Sequence, residues 1–285
     1  GSTDGGEGWD GAWTYANGAA GQAIVQDGGL TYNDGSRSLE VSGNHARVGV
    51  NPDDNNSNAQ FGRAMSTVLG SDAGTYYISF IGERQGDKDE SISSDGTNPY
   101  DPNHYGRNAQ LSLQGSGLGE FGGIGNGSSV ETDTWKVWAG NDLYWGSEAA
   151  NTGIQYSYNQ SFVVVRVDVG AGDNGGNVFT FYHDPMLSAE SANEADLTAE
   201  ALEDGEGFVF ELGGIGMYVG NEGSDRAAAE MTYDEIRVGK TWTAVAPSYA
   251  DNDGDGIPDA EDPDDDNDGL TDEEEAELGT DPFIA

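Results

Sequence analysis

From Gly8 to Val245 the apolar residues come in short runs, each broken by Gly, Asn, Asp or Ser. The clearest are 22–26 (QAIVQ), 38–42 (SLEVS), 45–50 (HARVGV), 75–82 (TYYISFIG), 109–113 (AQLSL), 135–139 (WKVWA), 162–169 (FVVVRVDV), 177–183 (NVFTFYH), 208–212 (FVFEL), 215–220 (IGMYVG) and 229–239 (AEMTYDEIRVG). Runs rich in β-branched and aromatic residues and bounded by turn formers predict strands. In 162–169, Val163, Val165 and Val167 share one face and Arg166 and Asp168 the other, the period-two pattern of a strand buried on one side. The helical signal is weak: 187–202 (LSAESANEADLTAEAL) holds helix formers but reads equally as a loop excursion. Many short strands with Gly-rich turns predict an all-β protein, a two-sheet sandwich. With no linker between 8 and 245, one large jelly roll fits better than two small sandwiches.

The pattern changes at 246–250 (APSYA), where Pro247 is expected to stop the last strand. This divides the chain into a jelly-roll domain, 1–247, and an appendage, 248–285. The appendage carries sixteen of the 52 acidic residues and no Lys, Arg or His. Such a charge run is ordinarily a solvated, disordered tail, but here the acids are spaced. Aligned on Gly256 and Gly269, it falls into two units, 251–262 (DNDGDGIPDAED) and 264–275 (DDDNDGLTDEEE). Positions 1, 3 and 5 are Asp251, Asp253 and Asp255, then Asp264, Asp266 and Asp268. Position 7, Ile257 or Leu270, offers a backbone carbonyl; position 9 is Asp259 or Asp272; position 12 is Asp262 or Glu275. Oxygen donors at this spacing around a turn-forming Gly are what a calcium loop needs, so Ca2+ is the expected cofactor. Only 272–278 is expected to form a helix, closed by Gly279.

The charge excess extends beyond the tail. Net charge is −41, and only three of the eleven bases are Lys. A chain rich in Asp and Gly and poor in Lys suits a salty medium, where screening mutes self-repulsion; a marine or hypersaline source is expected. Nucleic acid is excluded as a partner, because phosphate binding needs clustered Lys and Arg. There is no Cys, so disulfides and thiolate metal sites are ruled out. No apolar run of about 18 residues exists, so the chain is not expected to span a membrane.

The tail resembles the thrombospondin type 3 repeat and, more loosely, the dockerin calcium loop, over 251–282. The resemblance implies tandem loops with little hydrophobic core, organised by calcium. Another unit usually follows the GTDP step, so the array is expected to have continued beyond 281–285 (DPFIA). The large domain resembles the LamG-like, concanavalin A-like jelly rolls of secreted and surface proteins. The resemblance rests on 8–14 (GWDGAWT), 162–185 and 233–247. It implies an extracellular or cell-surface location and a fold that serves lectins, carbohydrate-binding modules, adhesion domains and a few enzymes. In such relatives an acidic and aromatic strand commonly precedes the GW motif, whereas 1–7 (GSTDGGE) has no apolar residue. A missing strand would leave a sheet edge or groove open, a template for a strand from another chain. Phe283, Ile284 and Ala285 form one such donor.

Candidate chemistry in the large domain is sparse. The E-x-D-x-x-E run of polysaccharide-cleaving jelly rolls is absent, and Asp234 and Glu235 are adjacent, so alternation points them to opposite faces. The three His residues lack metal spacing. The chain is therefore expected not to be an enzyme. Carbohydrate binding needs exposed aromatics with polar neighbours. Two long loops offer them: 95–108, with Tyr100, His104, Tyr105 and Arg107, and 141–148, with Tyr144 and Trp145. Trp9, Trp13, Trp135, Trp138 and Trp242 read as core. Two functions follow. One is adhesion to a polysaccharide or cell-surface glycan on a calcium-stiffened spacer. The other is a structural subunit of a fibre or surface layer that binds copies of itself through calcium and its terminal strands.

Overall fold

The computed structural model describes residues 8–17, 23–49, 59–85, 109–117, 119–125, 134–139, 150–155, 159–203, 206–207, 210–219 and 230–285. Two antiparallel sheets face each other. The seven-stranded sheet runs in the order β1 (Trp9–Asn17), β5 (Ala59–Leu69), β15 (Leu212–Val219), β7 (Ala109–Gln114), β8 (Glu120–Gly125), β9 (Thr134–Ala139), β10 (Ala150–Gln155). The eight-stranded sheet runs β14 (Glu206–Gly207), β13 (Leu197–Glu203), β12 (Asn177–His183), β11 (Ser161–Val169), β6 (Gly74–Gln85), β16 (Glu230–Gly239), β4 (His45–Gly49), β2 (Ala23–Gln26). A two-stranded ribbon of β17 (Ser248–Ala250) and β3 (Arg37–Leu39) joins the tail to the sandwich. Two short helices, α1 (Trp242–Val245) and α2 (Asp272–Leu278), complete the described structure.

The all-β sandwich is as the sequence predicts. Its core lies between the sheets, with Phe80, Val163, Val165, Phe179 and Phe181 from one and Leu111, Leu113, Ile124, Val137 and Ile215 from the other. Trp135, Trp138 and Trp242 are buried, and Trp9 and Trp13 partly so. The strand at 161–169 departs from the expected one-sided burial. A second apolar cluster covers its outer face: Phe162 and Val164 pack with Ile81, Tyr182, Leu187, Trp242 and Val245. The turn after β12 and helix α1 supply that cover, and the Trp242 indole N–H donates to the Leu187 carbonyl at 3.2 Å. Segment 187–202 is a loop with a 3₁₀ turn at Glu190–Ala192, followed by β13, which pairs with β12 and sets Leu197 opposite Phe181 and Ala199 opposite Phe179. Tertiary pairing here outweighs intrinsic helix propensity.

At the centre of that turn, Glu190 accepts hydrogen bonds from Tyr77 Oη and Tyr182 Oη, each 2.7 Å, and from the Arg166 guanidinium. Burial pushes its carboxyl up, but the hydrogen bonds from the two tyrosines and Arg166 outweigh this and leave it below the usual range. A depressed carboxyl pKa stabilises the fold above its unfolded value, and that stability is lost as pH falls through the folded one. Glu190→Gln is expected to lower the urea midpoint at neutral pH and to flatten its decline on acidification. Equal acid sensitivity in both proteins would remove Glu190 from the account.

Gly70 sits at φ +90°, and an added Cβ would lie 2.3 Å from Phe210 Cδ1 and 2.5 Å from its carbonyl oxygen. Gly70→Ala is expected to cost about 2–4 kcal/mol, combining left-handed strain with overpacking. The midpoint of urea unfolding measures it, and a loss below about 1 kcal/mol would show that the backbone adapts.

Candidate calcium sites and the sandwich edge

Pro247 is expected from the sequence to stop the last long strand, but that strand ends well before it. Strand β16 ends at Gly239, α1 follows, and only then does Ser248–Ala250 pair with β3. The ribbon delivers Asp251 to the sandwich, where it is fully buried. One of its oxygens accepts from Ser38 Oγ, and the other from Gly254 N at 2.9 Å. Position 1 of the first unit therefore belongs to both the tail and the sandwich.

The two units share most of their turn bonds and differ at position 1, where Asp251 accepts from Gly254 N and Asp264 from Gly269 N. In the first, Asp253 Oδ1 accepts from Asp255 N and Asp255 Oδ1 from Ile257 N, at 2.9 and 2.8 Å. In the second, Asp266 Oδ1 accepts from Asp268 N and Asp268 Oδ1 from Leu270 N, at 3.0 and 2.7 Å. Position 9 accepts from the backbone of position 2 in both: Asp259 from Asn252 N at 2.8 Å, Asp272 from Asp265 N at 3.1 Å. Its own N–H reaches back to Ala250 O or Pro263 O, at 3.0 Å in each unit. Positions 4 and 6 take left-handed backbone in both, as Gly254 and Gly256, then Asn267 and Gly269, a conformation that favours Gly and Asn. Each aspartate uses one oxygen to turn the chain, as Asx turns do.

This winding collects Asp251, Asp253 and Asp255 with ligand oxygens within 4.8 Å of one another, and likewise Asp264, Asp266 and Asp268. Asp259, Asp262, Asp272 and Glu275 stand outside those close sets. Glu275 is nevertheless 1% exposed on α2, and its Oε2 has no hydrogen-bond donor. Asp264 Oδ1 and Asp266 Oδ2 are also buried without a partner. Such atoms carry a desolvation cost unless a cation or donor meets them. The tail has no basic side chain to do so. All-oxygen donors, orphaned and anionic, fit a hard divalent cation such as calcium. A bound ion would supply the positive charge that holds these oxygens together.

The helix expected at 272–278 forms, with a Thr271–Glu274 capping box and Gly279 at φ +80°. Sequence spacing missed Asp265, which reads as a spacer at position 2. It is buried, with one orphaned oxygen, and burial followed by the charges of Asp272, Asp259, Asp262 and Asp253 pushes it up to about 6. The only available signal was that position 2 is Asn in the first unit and Asp in the second.

Tyr100, His104, Tyr105, Arg107, Tyr144 and Trp145 lie outside the described residues. Within them, one lateral side of the sandwich is open. Edge strands β1 and β2 flank a cleft of about 520 Å³ floored by core residues including Trp13, Phe61, Met217 and Tyr233. Ile24 and Val25 on β2 are 48% and 44% exposed. Asp234 and Glu235 both line this cleft, contrary to the alternation expected, because a bulge with Glu235 at φ +48° breaks the period of β16. Their oxygens are already used: Asp234 accepts from Leu30 N at 2.6 Å and Glu235 from Ser42 N. His45 is likewise bonded to Gly28 O and Gln26 Oε1. These acids tie loops to the sheet.

Fold and site together define a β-sandwich with a tandem acidic loop array. A family model described as bacterial TSP3 repeat matches residues 264–283. No curated protein matches the chain. Among solved structures, the chain is similar to an endo-β-1,4-glucuronan lyase from the fungus Trichoderma reesei, at 12% identity and TM-score 0.47, covering 85% of this chain and 94% of that one. It is also similar to the globular domain of T. cruzi calreticulin, at 10% identity and TM-score 0.41, covering 80% and 83%. A third is the binding domain of Paraclostridial Mosquitocidal Protein 1, at 9% identity and TM-score 0.44, covering 82% and 46%. These likenesses concern the fold alone, and they add nothing specific for the LamG-like resemblance. They do correct the expectation of a non-enzyme: a lyase has a like sandwich, so the fold gives no ground for excluding catalysis. No helix among the described residues is long and apolar enough to cross a membrane.

Proposed function

We propose that the chain is an extracellular calcium-binding module in which residues 248–285 form a calcium-ordered arm for the sandwich of 1–247. The partner in this reading is a polysaccharide or cell-surface glycan. The observation that carries it is the pair of aspartate triads, the second of which has buried carboxylate oxygens on Asp264 and Asp266, beside Glu275, without a hydrogen-bond partner. The ligands are Asp251, Asp253, Asp255, Asp259, Asp262 and the Ile257 carbonyl in the first loop. In the second they are Asp264, Asp266, Asp268, Asp272, Glu275 and the Leu270 carbonyl. Calorimetric titration of the full chain tests this: calcium should bind saturably and reversibly with EGTA, and magnesium much more weakly. Equal binding of both cations, or of neither, would overturn the reading.

Binding to copies of itself is a second reading, favoured by the open cleft between β1 and β2 and by exposed Phe283 and Ile284. Because polar groups of the cleft are engaged internally, its free surface suits an apolar strand better than a sugar. Light scattering in calcium and then in EDTA separates the readings. Large species that form with calcium and dissolve in EDTA support assembly, and a monomer in both conditions rules it out.

A further inference from the structure

The outer face of the seven-stranded sheet is polar where such a face, if only structural, would be covered by apolar residues or left to solvent. Strand register sets its rows. Gln60, Tyr218, Gln110, Gly125 and Lys136 lie side by side across β5, β15, β7, β8 and β9. The next outward row is Gly62, Gly216, Ser112, Gly123 and Trp138. Residues between these rows, such as Leu111, Ile124 and Val137, point into the core. In the second row, three of five positions are glycine, and neighbouring side chains fill the room they leave, Trp138 over Gly123 among them. The Gln114 side chain lies over Gly62 and Gly216, whose added Cβ atoms would meet its amide at 2.8 and 2.6 Å.

Glu120 gathers this face. It accepts from Ser112 Oγ at 2.6 Å, Gln110 Nε2 at 3.1 Å and Gln60 Nε2 at 3.3 Å. Beside it the bonding is incomplete. Gln110 and Gln114 are 1% and 0% exposed, yet Gln110 Oε1 and both amide atoms of Gln114 have no hydrogen-bond partner. Buried amides are nearly always satisfied, and an orphaned one needs a reason. The face is not sealed, because Gln60, Tyr218 and Glu120 are each half-buried.

We infer that this polar face around Gln60, Gln110, Ser112, Gln114, Glu120 and Tyr218 is a binding site for an uncharged glycan. The inference rests on the glycan reading above and gives it a place and a ligand class. The orphaned atoms include an acceptor on Gln110 and both donors and an acceptor on Gln114. A ligand that satisfies them must both donate and accept, which hydroxyl groups do and phosphates or carboxylates do not. Charge selects further: Glu120 sits at the centre and the chain carries −41 overall, so a polyanion is repelled. A strip across β5, β15, β7 and β8 spans about 14 Å at the usual strand spacing, room for a short run of sugar units.

The test is native gel electrophoresis of the full chain in calcium, in gels containing barley β-glucan, xylan, galactomannan or polyglucuronate. Wild-type protein should be retarded by at least one of the three neutral polymers. Gln114→Leu and Gln60→Ala should each weaken that retardation at least tenfold. Neither variant should unfold: replacing an unpaired buried amide by an apolar group of comparable size removes its desolvation cost, and Gln60 is half-buried. Retardation unchanged in both variants would overturn the site and leave the glycan reading standing. Retardation by polyglucuronate alone would overturn the ligand class. No retardation by any polymer would overturn site and reading together.

Discussion

In EDTA the tail beyond Asp251 is expected to lose its fold while the sandwich keeps its own. The tail has almost no apolar interior; Ile257, Leu278, Phe283 and Ile284 are all more than 40% exposed. Its turns are held by aspartate oxygens bonded to backbone N–H groups, which organise the chain but bring sixteen like charges together. Folding without a cation must bury Asp251, Asp265 and Glu275 at a cost that no base offsets. A cation that binds only the folded loops contributes about 2.7 kcal/mol per site at a hundred times its dissociation constant. The sandwich has its own core and needs none of this. Limited proteolysis should therefore cut within 251–285 at least tenfold faster in EDTA. Melting of the sandwich should shift little. Equal protection with and without calcium would show that the loops hold themselves together.

The second large effect is expected from Glu275→Gln. Glu275 is the one position-12 residue carried on a helix, and the capping box and Gly279 fix that helix at both ends. The substitution keeps the shape of the side chain and leaves α2 intact, since Gly279 N and Thr280 N bond to the backbone oxygen of residue 275. What it removes is a buried negative charge with an unmet oxygen. Calcium affinity depends on the number of anionic ligands, so the second loop should weaken on the order of 100-fold. The first loop, built on Asp251, should keep its ion. Calorimetry would then resolve one tight site where wild type has two. Two tight sites in the variant would show that Glu275 is a structural carboxylate rather than a ligand.

Much of this was legible in the sequence because its signals are local. Alternating valines and Gly-rich turns read directly as strands, and a thirteen-residue repeat of Asp and Gly fixes the loops whatever lies around them. The predicted runs omit β1, β5, β8 and β10, and for β8 the reason is physical. Strand β8 (EFGGIG) has little side-chain signature because its glycines are excluded volume: a Cβ on Gly123 would lie 2.3 Å from Trp138 Cζ2, and one on Gly125 2.3 Å from Ala109 O. Strand β13 looked helical because only its pairing with β12 makes it a strand. The polar outer face was invisible for the same reason. Gln60, Gln110, Gln114 and Glu120 are scattered through the sequence, and only sheet register brings them together. Asp265 was hidden by being one aspartate in a run of three, where spacing alone cannot say which side chain turns inward.

The central claim is that the aspartate array holds calcium in two places. Native mass spectrometry of the full chain, titrated with calcium and then with EGTA, counts the ions directly. The account predicts two calcium ions per chain at saturation, both removed by the chelator. A chain that keeps its bare mass, or that gains a broad, unsaturating ladder of adducts, would contradict it.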